Sequence, residues 1–255
     1  VDNPDHNSYA AMGVFEDVTD LYNSTEDMNF LEGSIGSCYY EDKLYGLPWG
    51  NNCLGLFYNE DMLEEAGVEV PTTWSELEAA CETLTKDGVK GLAISAIGNE
   101  EGTFQYMPWL LSAGGNVNEM NGDGAKESMS YLYGLIEKGY VSAECINWTQ
   151  GDVMNQFISG NVAMMVNGPW QIETMRSEAP DLNWDVTLLP KDKEYASVIG
   201  GENYAVIAGG NEEGALNFLT YATEEEQVMT MMEKLGYISA DKDIAANQFS
   251  DEKDA

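Results

Sequence analysis

The stretch Leu44-Tyr45-Gly46-Leu47-Pro48-Trp49-Gly50-Asn51-Asn52-Cys53-Leu54-Gly55-Leu56-Phe57-Tyr58-Asn59-Glu60-Asp61-Met62-Leu63-Glu64-Glu65 decides how this chain is read. A turn rich in Gly, Pro and Asn passes into an apolar strand over 54–59. Asn59-Glu60-Asp61 then starts a helix, which Ala66-Gly67 closes. The polar amides of Asn51 and Asn52 fall where the chain would cross from one body to another, and hydrogen-bonding groups at a hinge suit capture of a small molecule.

Working outward, Thr73 and Glu76 have capping-box spacing, and Trp74, Leu77, Ala80, Cys81 and Leu84 recur at helical intervals behind them. A short buried strand follows at 91–95, then helices over 104–113 and 125–138, and one over 153–159 capped by Asp152. A strand over 162–166 delivers the chain into Asn167-Gly168-Pro169-Trp170. Further strands are expected at 184–189 and 204–208, and helix over 212–234 with a break near Thr223. The last residues, 250–255, are a polar, acidic tail. Alternating strands and helices predict an α/β protein with a mostly parallel sheet.

The chain has 255 residues, 44% of them apolar, enough for one or two cores. Its 11 Lys+Arg against 45 Asp+Glu give a net charge of −34, which disfavours nucleic acid and anionic lipid surfaces. Arg176 is the one arginine and His6 the one histidine. An Arg fork for phosphate or carboxylate could come only from Arg176, and a hydrolytic triad would need His6, in a polar N-terminal segment. A metal site with several His ligands is excluded, so a neutral or cationic ligand is expected. Cys38, Cys53, Cys81 and Cys145 lack CxxC spacing; the last three lie among apolar residues and read as core, with a disulfide left open. No apolar run reaches the roughly 18 residues of a membrane-spanning helix.

Five places combine turn chemistry with side chains suited to a small polar ligand. They are Trp49, Asn51 and Asn52; Trp170 after Gly168-Pro169; Gly201, Glu202 and Asn203; the aromatic cluster from Phe104; and Gln150 beside Trp148. Amides both donate and accept, as hydroxyls do, and an aromatic face at the end of a strand offers an apolar platform for a ring. Each also has a plainer reading as turn or core.

Gly55-Leu56-Phe57-Tyr58-Asn59 with Leu63 and Glu65, Pro71-Thr72-Thr73-Trp74-Ser75-Glu76-Leu77, and Phe157, Gly160, Ala163-Met164 and Asn167-Gly168-Pro169-Trp170 together resemble the bacterial extracellular solute-binding proteins of ABC importers, in their maltose-binding-like, sugar-binding branch. Trp49 and Gly50 depart from the small or aliphatic residues of that pattern. The resemblance implies an α/β, two-lobed periplasmic-binding-protein-like fold of type II. Residues 1–50 and 203–255 would form the first lobe, 51–54 and 198–202 the hinge crossings, and 55–197 the second lobe. Trp170 would stack on a sugar, Asn52 would be a hinge-side contact, Phe104 and Gln150 would bind from the second lobe and Asp5 from the first, with Gly201, Glu202 and Asn203 beside the second crossing. It further implies that elements of the first lobe precede Val1 and follow Ala255, so that the chain is expected to be truncated at both ends, a piece of a longer protein.

The function expected is the extracytoplasmic substrate-binding component of an ABC transporter, which captures a sugar or oligosaccharide by hinge closure and passes it to permease subunits in the membrane. By the same likeness the protein would be a monomer without cofactor, metal or enzymatic activity. It would be extracellular, at the cell surface or periplasmic, with a lipid anchor ahead of Val1 left open. The rivals are a carbohydrate-active hydrolase with paired carboxylates, and a binding protein for a polyamine or peptide.

Overall fold

The computed structural model describes residues 1–25 and 28–248, so the acidic tail at 250–255 lies outside the described residues. The chain begins with α1 (Asn3–Ala11), α2 (Thr19–Ser24) and α3 (Glu32–Gly36), then the hairpin β1 (Tyr39–Tyr40) and β2 (Lys43–Leu44), and reaches β3 (Leu47–Asn52). It continues through β4 (Gly55–Asn59), α4 (Glu60–Ala66), α5 (Trp74–Leu84), β5 (Lys90–Ala93), α6 (Glu100–Ser112) and α7 (Asp123–Glu137). After α8 (Gln150–Ile158), β6 (Val162–Asn167), α9 (Ile172–Glu178) and β7 (Trp184–Thr187) come β8 (Gly200–Tyr204), α10 (Glu212–Ala222), α11 (Glu225–Leu235), β9 (Ile238–Ser239) and α12 (Lys242–Gln248).

These elements divide into unit 1, Val1–Asn52 with Ile199–Ala255, and unit 2, Cys53–Val198. Unit 2 holds a four-stranded sheet in the order β5-β6-β4-β7. Only β5 and β6 run parallel; β4 is antiparallel to both β6 and β7, so the sheet is mixed rather than mostly parallel. The reason lies in the connections. Two helices, α4 and α5, separate β4 from β5, and an even number of helical reversals returns the chain in the opposite direction. Three helices separate β5 from β6, which restores it. Strand–helix alternation is the same in either case.

Local chemistry sets the ends of these helices. The Asn59 side chain accepts from the Met62 N–H to start α4, and Gly67 closes it at φ 65°, in the left-handed region that glycine enters without strain. Thr73 and Glu76 form the expected capping box on α5. On α8 the cap is Thr149, with Asp152 as its partner three residues on; Asp152 itself is inside the helix. The apolar face of α5 buries Trp74, Leu77 and Cys81 against β4–β6, and Trp74 stacks on Tyr131 of α7 with centroids 4.3 Å apart. A second layer, with Phe57, Val153, Phe157 and Met165, covers the other side of the sheet.

Unit 1 is organised on a three-stranded antiparallel sheet, β8-β3-β9. The strand expected at 204–208 lies earlier, over Gly200–Tyr204, because the paired glycines belong to the strand itself. Gly201 sits at φ 145°, and a Cβ there would be 2.2 Å from the Gly50 carbonyl oxygen, so two backbones pass where a side chain would stand. Val18, Leu44, Leu47, Val206 and Leu219 pack one small core, and Val228, Met232 and Ile244 another. His6, expected in a polar turn, is fully buried in α1 against Phe15. All four cysteines are free; Cys38, Cys81 and Cys145 are buried and Cys53 half-buried.

Candidate functional site

In unit 2, β6 ends at Asn167 and the chain turns through Gly168-Pro169 into Trp170. The Trp170 indole lies back over Gly168, where a Cβ would fall 2.0 Å from the ring. Phe104, on the second turn of α6, meets it with centroids 6.4 Å apart and planes tilted by 49°. Both rings pack on the core from one side and are half-buried, which leaves apolar surface at the edge of the unit. Gln150 opens α8 and is tied to the same place, because the Asn167 Nδ2 donates to its carbonyl oxygen at 2.9 Å. The Gln150 side-chain amide has no partner among the described residues. Trp170, Phe104 and Gln150 therefore belong to elements that meet at the carboxyl end of β6.

In unit 1 the expected residues divide between two faces. Strand side chains alternate, so consecutive residues cannot share a face. Asn51 and Asn203 point toward α3: Ser34 Oγ donates to Asn51 Oδ1 at 2.6 Å, and Asn203 Nδ2 donates to Ser37 Oγ at 3.0 Å. Asn51 Nδ2 also donates to the Ser239 carbonyl at 3.4 Å. Both amides are thus engaged by Ser34, Ser37 and the Ser239 carbonyl within unit 1. Gly201 serves the close strand approach described above and offers no side chain.

Asn52 and Glu202 lie on the opposite face. Gly50 pairs with Glu202 and Asn52 with Gly200, while Trp49 is the extra residue of a bulge between Pro48 and Gly50. The Trp49 indole lies beside Tyr237, 5.1 Å away, and Tyr204, 6.1 Å away, and packs against the cluster of Val228, Met232 and Ile244. Glu202 Oε1 accepts from the Tyr237 hydroxyl at 3.2 Å, whereas Oε2 is buried without a partner among the described residues. Burial, with the negative charge of Asp2 beside it, raises the Glu202 carboxyl above the usual carboxylate range. The Asn52 amide has no partner among the described residues. Asp5 is exposed in the first turn of α1.

Tyr237 lies outside the sequence-based candidates, and Asn167 enters them only as the first residue of the turn that leads to Trp170. Tyr237 stands directly after Gly236, the left-handed cap of α11, a position that announces only a turn. Asn167 opens the Asn167-Gly168-Pro169-Trp170 turn, but nothing in its spacing distinguishes a ligand contact from a brace. Among the described residues no group of three or more His, Cys, Asp or Glu is placed to hold a metal ion. Arg176 pairs with Glu173 at 2.9 Å on the exposed side of α9.

The galactooligosaccharide-binding protein of Bacillus subtilis is 28% identical over 250 residues, covering 91% of this chain and 56% of its own length. The maltooligosaccharide ABC transporter solute-binding lipoprotein of Streptococcus pneumoniae is 26% identical over 218 residues, 78% of this chain and 49% of its own. Among solved structures, an ABC transporter solute-binding protein of Thermotoga lettingae bound with α-D-tagatose superposes with a TM-score of 0.90 at 26% identity, over 97% of this chain and 68% of that one. The GacH receptor of Streptomyces glaucescens, solved unliganded and with acarbose, gives 0.86 at 25% identity, over 99% of this chain and 68% of that one. The chain thus spans 49% to 60% of the length of the curated relatives it matches. The profile of the bacterial extracellular solute-binding proteins matches residues 1–255, and with both units accounted for in that fold, the chain belongs to this family of binding proteins.

Proposed function

We propose that the protein is the substrate-binding component of an ABC importer outside the cytoplasm and that its ligand is an uncharged sugar or oligosaccharide. The observation that carries this reading is the Phe104–Trp170 corner at the end of β6, with the unengaged Gln150 amide at the same strand end. Half-buried aromatic faces take the apolar face of a sugar ring, and amides take its hydroxyls. Asn52, Glu202 and Tyr237 supply amide, carboxyl and phenol groups from unit 1, and no Lys or Arg stands among these residues. Relatives named for galactooligosaccharide and maltooligosaccharide support the same ligand class. Hinge closure on the ligand and delivery to membrane permease subunits are part of the proposal.

The test is isothermal titration against maltotriose, galactobiose and mannobiose, with glucuronate and spermidine as charged controls. A neutral sugar should bind, and Trp170→Ala should weaken it by about 30-fold or more, since a central aromatic contact is worth on the order of 2 kcal/mol. Unchanged affinity in Trp170→Ala removes the stacking role. Spermidine binding without sugar binding supports the polyamine reading, and cleaved sugar on chromatography supports the hydrolase. Small-angle scattering should record a smaller radius of gyration when the sugar is added.

A further inference from the structure

Three chain segments far apart in sequence contribute to the unit 2 surface: α6 with Phe104, the start of α8 with Gln150, and the turn with Trp170. Two buried amides join them. Gln105, beside Phe104 and 1% exposed, donates through Nε2 to the Val166 carbonyl at 3.1 Å. Asn167, the next residue of β6, is fully buried and works in two directions. Its Nδ2 donates to the Gln150 carbonyl at 2.9 Å, and its Oδ1 accepts from the Gly168 N–H at 3.1 Å.

Gly168 is the residue over which the Trp170 ring lies. Holding its N–H therefore holds the floor under the indole, and holding the Gln150 carbonyl ties the first turn of α8 to that floor. A buried side chain with both ends engaged is rigid, because releasing either end would leave a polar atom unsatisfied in a dry interior.

We propose that Asn167 is the positioning residue of the unit 2 surface: one amide sets the Trp170 turn and the Gln150 helix start relative to each other, without itself touching ligand. The proposal rests on the sugar-binding reading for its functional consequence, and on geometry alone for its structural one. Asn167→Asp keeps the size and the acceptor toward Gly168 while replacing the donor toward Gln150 with a repelling oxygen. Asn167→Leu removes both contacts while keeping the branching and the number of side-chain heavy atoms.

The experiment has two arms on the full chain. In the first, amide and indole NMR signals are recorded without ligand. Asn167→Leu should lose exchange protection at the Gly168 amide and shift the Trp170 indole N–H. Asn167→Asp should retain Gly168 protection and shift the signals of residues 150–153. If both variants leave the Trp170 and Gln150 signals where they are in the parent while the protein stays folded, the positioning role is overturned.

In the second arm, maltotriose, galactobiose and mannobiose are titrated into the parent, Asn167→Asp, Gln150→Ala and the double variant. Asn167→Asp should weaken binding about tenfold, and the double variant should bind no worse than Gln150→Ala by more than about threefold. Fully additive losses would mean that Asn167 does not act through Gln150 and would refute the coupling. If the parent binds none of the three sugars, the ligand class fails, and the NMR arm still decides the placement of Trp170 and Gln150.

Discussion

Unit 2 is one continuous segment, Cys53–Val198, whose strands find one another through the helices between them, whereas unit 1 joins Val1–Asn52 to Ile199–Ala255 and acquires its sheet only when β8 and β9 come back to β3. Unit 2 accordingly carries a broad core in two layers around a mixed sheet. Unit 1 has smaller separate clusters and close backbone approaches of Gly201 to Gly50 and of Gly46 to Tyr204. A unit assembled from distant segments bears its loop-closure cost before its contacts form. Single backbone positions therefore have more leverage there than in a unit whose helices are defined by their own caps.

The strongest way to break this comparison is Gly201→Ala. The new methyl meets the Gly50 carbonyl at a φ that L residues rarely adopt, so the β3–β8 pairing should lose on the order of 3 kcal/mol or more. Hydrogen exchange should show protection lost throughout unit 1 while α5 and β6 keep theirs. Equal loss in both units would show that they do not melt separately.

Acid gives the next largest contrast. Burial lowers the His6 imidazole to about 4 from 6.5. The unfolded chain therefore binds a proton between pH 6.5 and 4 that the folded state refuses, and stability falls as pH drops through that window. The cost reaches on the order of 2–3 kcal/mol below about pH 4. Urea unfolding at pH 7 and pH 4.5, followed by exchange in each unit, should show the loss in unit 1, and His6→Phe should abolish that part of it. Glu202 works with the opposite sign, since its raised carboxyl pKa favours the folded state in acid, so the difference between parent and His6→Phe isolates the imidazole.

The smallest effect sharpens the other side. Thr73→Ala removes the capping box of α5 and should cost unit 2 about 1 kcal/mol, visible as faster exchange in the first turn of α5 and a modest drop in urea midpoint. Unit 1 should not respond.

The elements legible in the sequence are those whose signals are short-range. Asn59 and Gly67 bracket α4 within a few residues, and Thr73 with Glu76 marks α5, so spacing alone identified them. The sheet was less legible because the direction of β4 depends on how many helices follow it, and because the partner of Asn52 is Gly200, remote in the chain. The candidate residues divide along the same line. Phe104 and Trp170 come together at one strand end, while Asn51 and Asn203 are engaged by Ser34 and Ser37. An asparagine suited to a sugar hydroxyl is equally suited to a serine, and only the parity of the strand tells which it meets. Tyr237 carries no marker, and Asn167 is marked only as part of a turn, because a brace and a ligand contact use the same atoms.

The indole resting on the bare α-carbon of Gly168 has a further consequence. The ring and its support are inseparable: any side chain at 168 must displace the ring, so under the proposed stacking role mutation there would reshape what can enter before it alters how firmly anything is held. Under that same role, ligand choice would be varied at residues such as Gln150, whose side chain can be exchanged without moving the ring.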